Sequence, residues 1–71
     1  MTMKMFMNAS PEYDGKSIAI NSDAVVSVFT YERDDEEGEE KSITVLYGAT
    51  GTSWEVKESY LEVVNRLNEP N

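Results

Sequence analysis

Val25-Val26-Ser27-Val28-Phe29-Thr30-Tyr31 and Ile43-Thr44-Val45-Leu46-Tyr47 frame the run Glu32-Arg33-Asp34-Asp35-Glu36-Glu37-Gly38-Glu39-Glu40-Lys41, and this stretch decides the fold. The two outer segments are rich in β-branched and aromatic residues, the composition of half-buried strands. The run between them holds seven of the fourteen acidic residues of the chain. The whole therefore reads as a β-hairpin whose tip, residues 32–41, carries a dense negative charge.

Shorter strands are expected on both sides of this hairpin. Thr2 to Met7 alternates Met3, Met5 and Met7 with Thr2, Lys4 and Phe6, a strand pattern. Asn8 to Lys16 reads as a loop closed by the tight-turn pair Asp14-Gly15. Ser17 to Ile20 follows as a strand, and Asn21 or Ser22 is placed to cap a single helical turn. Beyond the hairpin, Gly48-Ala49-Thr50-Gly51 forms a turn, and Thr52 to Val56 forms another strand. Ser59 and Glu62 then stand at capping-box spacing. Tyr60, Leu61, Val64 and Leu67 recur at helical intervals, with Val63 widening the stripe. A helix is expected over about 58–68. The reading is one α+β domain: an antiparallel β-meander of four or five strands with one C-terminal amphipathic helix packed on one face.

Length and composition narrow the function. A chain of 71 residues has room for one modest core, and chains of this size bury only about 60% of their unfolded surface. Cysteine and histidine are both absent, which removes disulfides, the usual zinc sites, thiol catalysis and histidine base chemistry. Self-association, with a dimer favoured, is the expected source of the missing stability. The formal charge of −8 repels phosphate backbones and anionic membrane surfaces, so direct nucleic-acid or membrane binding is not expected. A protein partner with a basic surface is. No stretch approaches the roughly 20 apolar residues of a membrane span, and the cytoplasm is the expected compartment. No nucleophile, base and orienting group stand at recognisable spacing, so no enzyme and no cofactor is expected.

Candidate interaction residues follow from alternation along the strands. With Val26, Val28, Ile43, Val45, Trp54 and Val56 turned toward the helix, Val25, Phe29, Tyr31 and Leu46 fall on the opposite face. That face would be an apolar contact surface, unless the loop from Asn8 to Lys16 or the first strand folds over it. Trp54 is expected to pack on Leu61 and Val64. At the tip, Glu32, Asp34, Asp35, Glu36, Glu37, Glu39 and Glu40 form the second candidate surface. Their spacing does not fit a calcium loop, because adjacent side chains point apart. Two roles suit them: steering a basic partner, or mimicking nucleic-acid phosphates to block a host protein. The simpler reading is a solvated tip that prevents edge-to-edge strand association.

Residues 17–67 carry a further pattern. Ile20-Asn21-Ser22-Asp23 ends one strand in a turn, and Val56-Lys57-Glu58-Ser59 leads a closing strand into the helix, which bears Glu62 and Val63. This layout resembles the small FlbD/SwrD-type motility proteins and related bacterial and phage proteins. The resemblance implies the fold read above and an accessory or regulatory role in a bacterium or phage. The acidic hairpin is longer than in that family, and the turn at Gly48-Ala49-Thr50-Gly51 differs, so the tip inherits no role from it.

Overall fold

The structure, a computed structural model, describes residues 2–34 and 36–69. Five strands and one helix follow one another: β1 Met3–Met7, β2 Ser17–Asn21, a 3-10 turn at Ser22–Ala24, β3 Val25–Asp34, β4 Glu40–Gly48, β5 Ser53–Val56 and α1 Tyr60–Asn68. The α+β class, the antiparallel strands and the C-terminal helix are as the sequence predicts. The strands, however, divide into a hairpin β1-β2 and a three-stranded meander β3-β4-β5. A bridge between Asn8 and Val56 joins the two sheets beyond the end of β1.

The turns show why the chain changes direction where it does. The Asn21 side chain accepts the Asp23 N–H at 2.9 Å and starts the 3-10 turn. Gly15 and Gly38 take φ of +82° and +80°, a backbone region that side chains with a Cβ avoid. Gly48 lies under Trp54: a Cβ there would stand 3.0 Å from the indole ring.

Helix α1 begins two residues inside the expected limit and ends at Asn68, as expected. Ser59 is its N-cap, and its hydroxyl accepts the Glu62 N–H at 3.2 Å. The buried face is centred on Val63, with Leu67 packed at its margin, while Tyr60 and Leu61 are exposed. Trp54 accordingly packs against the cluster that contains Val63, not against Leu61.

The main core joins Phe6, Ile20, Leu46, Val56 and Val63, with Ile18, Val25, Val28, Trp54 and Leu67 around it. Both sheets and the helix contribute. The inner face of the meander is therefore the one carrying Leu46, which is 0% exposed. This corrects two placements, since Leu46 and Val25 do not lie on the open face. The cause is local. The β3-β4 register slips between Val25 and Ser27, so the bulge leaves Val26 exposed and returns Val25 to the side of Val28. In β4 the run Ile43-Thr44-Val45-Leu46 is buried on both faces, so hydrophobicity alone does not tell which alternate set points inward. The register does: Leu46 stands opposite Val28 and Trp54, whereas Val45 stands opposite Phe29 and Glu55. Ile43 and Val45 therefore face away from the helix.

Two side chains replace strand pairing along the outer edge of β1. Lys57 N–H donates to the Met7 carbonyl at 2.8 Å. The Met7 N–H then donates to the Glu58 carboxylate at 3.1 and 3.2 Å. Arg66 donates to the Met5 carbonyl at 2.6 Å, to Glu58 at 3.3 Å and to Glu62 at 2.6 Å. Its guanidinium also stands 5.4 Å from the centre of the Phe6 ring. An edge that would otherwise present bare backbone groups is thus satisfied by Glu58, just before α1, and by Arg66 in its last turn. Glu58 thus holds the β1 edge, while Ser59 caps the helix and Val63 packs in the core.

Candidate interaction site on the outer sheet face

Reading the register across β3, β4 and β5 gives the outer face row by row. Ser27, Tyr47 and Ser53 form one row, Phe29, Val45 and Glu55 the next, then Tyr31 with Ile43, and last Arg33 with Lys41. The two halves of this face differ in their cover.

The half nearer the hairpin tip is closed. Ala9 packs on Ile43 and Val45, with Tyr31 beside them. Ala9 is held from both sides: its N–H donates to the Glu55 carbonyl at 2.9 Å, and its carbonyl accepts from Arg33 at 2.8 Å. Arg33 also donates to the Glu55 carboxylate at 2.9 Å and to the Tyr31 hydroxyl at 3.2 Å. The Tyr31 hydroxyl donates to the other Glu55 oxygen. That hydrogen bond, with burial and the Glu55 charge adding to it, raises the Tyr31 pKa above its ordinary value. Burial is the largest single influence on Arg33 and works against its charge, but the hydrogen bonds and charges of Glu55 and Tyr31 together outweigh it and raise its pKa above the ordinary value. Lys57 and Asp14 pair at 3.2 Å and tie the following loop to the same surface. The loop from Asn8 to Lys16 thus covers part of the face, the simpler of the two expected outcomes.

The other half is open. Phe29 and Tyr47 stack with ring centres 5.9 Å apart and an interplanar angle of 30°. They remain 42% and 41% exposed. Of the four apolar residues expected on this face, Phe29 is on its open part and Tyr31 on its closed part, while Val25 and Leu46 belong to the core. Tyr47 takes the place assigned to Leu46. The register supplies the signal for it: Phe29 and Tyr47 are diagonal neighbours, one row apart on adjacent strands.

At the tip, β3 and β4 continue to Asp34 and Glu40. Glu32, Asp34 and Glu40 are therefore strand residues, and Glu36, Glu37 and Glu39 belong to the turn. Asp35 lies outside the described residues. Alternation sorts the charges by face. Asp34 stands opposite Glu40 on the inner side, and Arg33 stands opposite Lys41 on the outer side. A shallow groove between the hairpin and the loop is lined by Asp14, Arg33, Glu36, Glu37, Lys41 and Lys57, among others. Like-charged neighbours across a ladder weaken it, so the Asp34–Glu40 and Arg33–Lys41 pairs do not strengthen this end of the hairpin.

Among the described residues, no group of three or more acidic side chains is arranged to hold a metal ion. No helix of the described residues is long and apolar enough to cross a membrane. Compared with known proteins, the chain matches no family model, no curated protein and no solved structure.

Proposed function

We propose that this chain is a non-enzymatic protein-interaction module that docks a basic protein partner on the open half of its outer sheet face. The observation that carries the proposal is the exposed Phe29–Tyr47 stack, set on rigid strands beside a locked region. Aromatic side chains left on a firm scaffold are common anchors of protein interfaces. The acidic residues of the hairpin then steer a basic partner toward that anchor and set its orientation. The resemblance to FlbD/SwrD-type proteins supports a cytoplasmic accessory or regulatory role in a bacterium or phage. Self-association as a dimer belongs to the same proposal, with the aromatic pair as the surface on which two copies meet when the partner is absent.

Phosphate mimicry is the second reading, and the charge of −8 favours it. Against it stands the pairing of Arg33 with Lys41, which sets two positive charges on the outer side of the same end of the hairpin.

Affinity capture from a bacterial lysate separates the two. Three baits are compared over a salt series: wild type, Phe29→Thr with Tyr47→Thr, and a variant with Glu36, Glu37 and Glu39 as amides. Docking on the aromatic pair requires that one partner be lost with the first variant at every salt concentration. The amide variant should weaken capture chiefly at low salt. Loss with the amides alone, together with displacement by added DNA, would establish mimicry in its place.

A further inference from the structure

Two sheets have four edges, and the chain treats them unequally. The outer edge of β1 is met by Glu58 and Arg66. That of β5 is met by Asn8, bridged to Val56, and by the Ala9 N–H on the Glu55 carbonyl. Strand β2 offers a free edge of five residues, and β3, which pairs with β4 alone, offers one of ten. Past the bulge between Val25 and Ser27, the β3 edge runs in regular register to Asp34.

The ladder shows which groups that edge presents. The Gly48 N–H donates to the Thr52 carbonyl, next in phase to the Leu46–Trp54 pair, so Gly48, Leu46 and Thr44 turn their backbone groups to β5. Val45 and Ile43 turn theirs to Phe29 and Tyr31 on β3. Val28, Thr30 and Glu32 are left with N–H and C=O pointing out of the sheet. Among the described residues, no hydrogen bond reaches those groups. The side chains along the edge are sorted by charge. Glu32, Asp34 and Glu40 share the inner side, with Thr30, Glu32 and Asp34 exposed, while Arg33 and Lys41 lie on the outer side. Charges on an edge repel unwanted strands; these repel a second acidic copy and attract a basic segment.

We propose that the partner binds by strand addition at the β3 edge, through an extended segment that alternates basic and apolar side chains and lies antiparallel to Val28–Asp34. This rests on the docking surface proposed above and names the form of what docks there. Directly opposed residues share a face. Those opposite Glu32 and Asp34 are therefore Lys or Arg, and those opposite Phe29 and Tyr31 are apolar. The apolar ones continue the Phe29–Tyr47 row by one strand, about 4.8 Å farther out. Main-chain bonds to Thr30 and Glu32 supply affinity, and the alternate side chains supply specificity.

The probe is the synthetic peptide acetyl-Lys-Val-Lys-Val-Thr-Val-Thr-amide, titrated into the full chain and followed by NMR with residue-resolved amide hydrogen exchange. In the free chain, Thr30 and Glu32 should exchange fast while Phe29 and Tyr31 exchange slowly. Saturating peptide should slow Thr30 and Glu32 and leave Phe29 and Tyr31 as they were. Methylating the nitrogens of the third and fifth peptide residues, which meet Glu32 and Thr30, should weaken binding roughly tenfold for each bond lost. Methylating the second and fourth, whose N–H groups point away, should not. Glu32→Gln with Asp34→Asn should weaken binding at low salt and match wild type at high salt. The proposal is overturned if the peptide leaves Thr30 and Glu32 unprotected, or if both methylation patterns act alike. It is overturned equally if Thr30 and Glu32 are already protected in the free chain; protection that grows with protein concentration would give the edge to a second copy. Protection that survives Phe29→Thr with Tyr47→Thr would support the edge and end the role of the aromatic anchor. Capture of a partner through that anchor, with Thr30 still unprotected, would sink the edge alone.

Discussion

The two halves of the outer sheet face are built from similar residues and treated in opposite ways. Tyr31, Ile43 and Val45 lie under Ala9, and Arg33 and Glu55 fasten that cover. Phe29 and Tyr47, one row farther along the same strands, have no such cover and stay about two-fifths exposed. The difference teaches what a short chain without disulfides can afford to close. Its one long loop reaches only half of the face, and a clasp of one arginine, one glutamate and one tyrosine decides where the cover stops. The remaining aromatic pair is then held firmly from below and left free above, the condition of a docking surface.

The largest effect should come from emptying the closed half. Ile43→Ala removes buried volume beneath Ala9 and is expected to cost about 2 to 4 kcal/mol. Urea unfolding followed by the fluorescence of Trp54, the only tryptophan in the chain, measures it. A loss below about 1 kcal/mol would mean that the cover does not seal this half. Next comes the clasp. Arg33→Ala leaves the Ala9 carbonyl without its side-chain donor and the Glu55 carboxylate with the Tyr31 hydroxyl but no arginine, an expected cost of about 1 to 2 kcal/mol. Amide hydrogen exchange should quicken at Ala9 and leave Val63 unchanged; equal change at both would point to global rather than local loosening.

The smallest effect concerns Tyr31 and depends on pH. Because its pKa is raised in the folded state, its contribution to stability is fully present below the ordinary value of 10.0 and is lost as pH rises through the folded value. Tyr31→Phe should therefore be less stable than wild type by about 1 kcal/mol at neutral pH, and the gap should close in strongly alkaline solution. Parallel unfolding curves of the two proteins over that range test the sign. A gap that widens with pH would show that the Glu55 hydrogen bond is not what holds the tyrosine.

Much of this architecture is legible in the sequence, and the exceptions have physical causes. Ser59, Glu62 and the apolar spacing after them fix the helix, because capping and the 3.6-residue period are local properties. Gly15 and the run around Gly38 mark turns for the same reason. The facing of β4 is not local. Ile43, Thr44, Val45 and Leu46 are all buried, and only pairing with Val28 and Trp54 shows that Leu46 points inward. Val25 was hidden by a bulge at Val26 that no residue announces. The clasp was equally obscure, since Arg33 sits inside an acidic run and its partners lie at Ala9 and Glu55, joined only when β1 continues alongside β5. The acidic tip, in contrast, can be read directly, but that Asp34 and Glu40 share one face and Arg33 and Lys41 the other needed the register.

The most direct test of the central claim is to compare urea unfolding of wild type with that of Phe29→Thr and Tyr47→Thr combined, again through Trp54. Threonine keeps strand propensity, so the comparison isolates the rings. If the pair is a docking surface and not part of the core, the double variant should lose less stability than Ile43→Ala alone, about 1 to 2 kcal/mol for a half-exposed stack. A loss equal to or greater than that of Ile43→Ala would show the aromatic pair to be part of the folding core, and the proposed docking surface would fall with it.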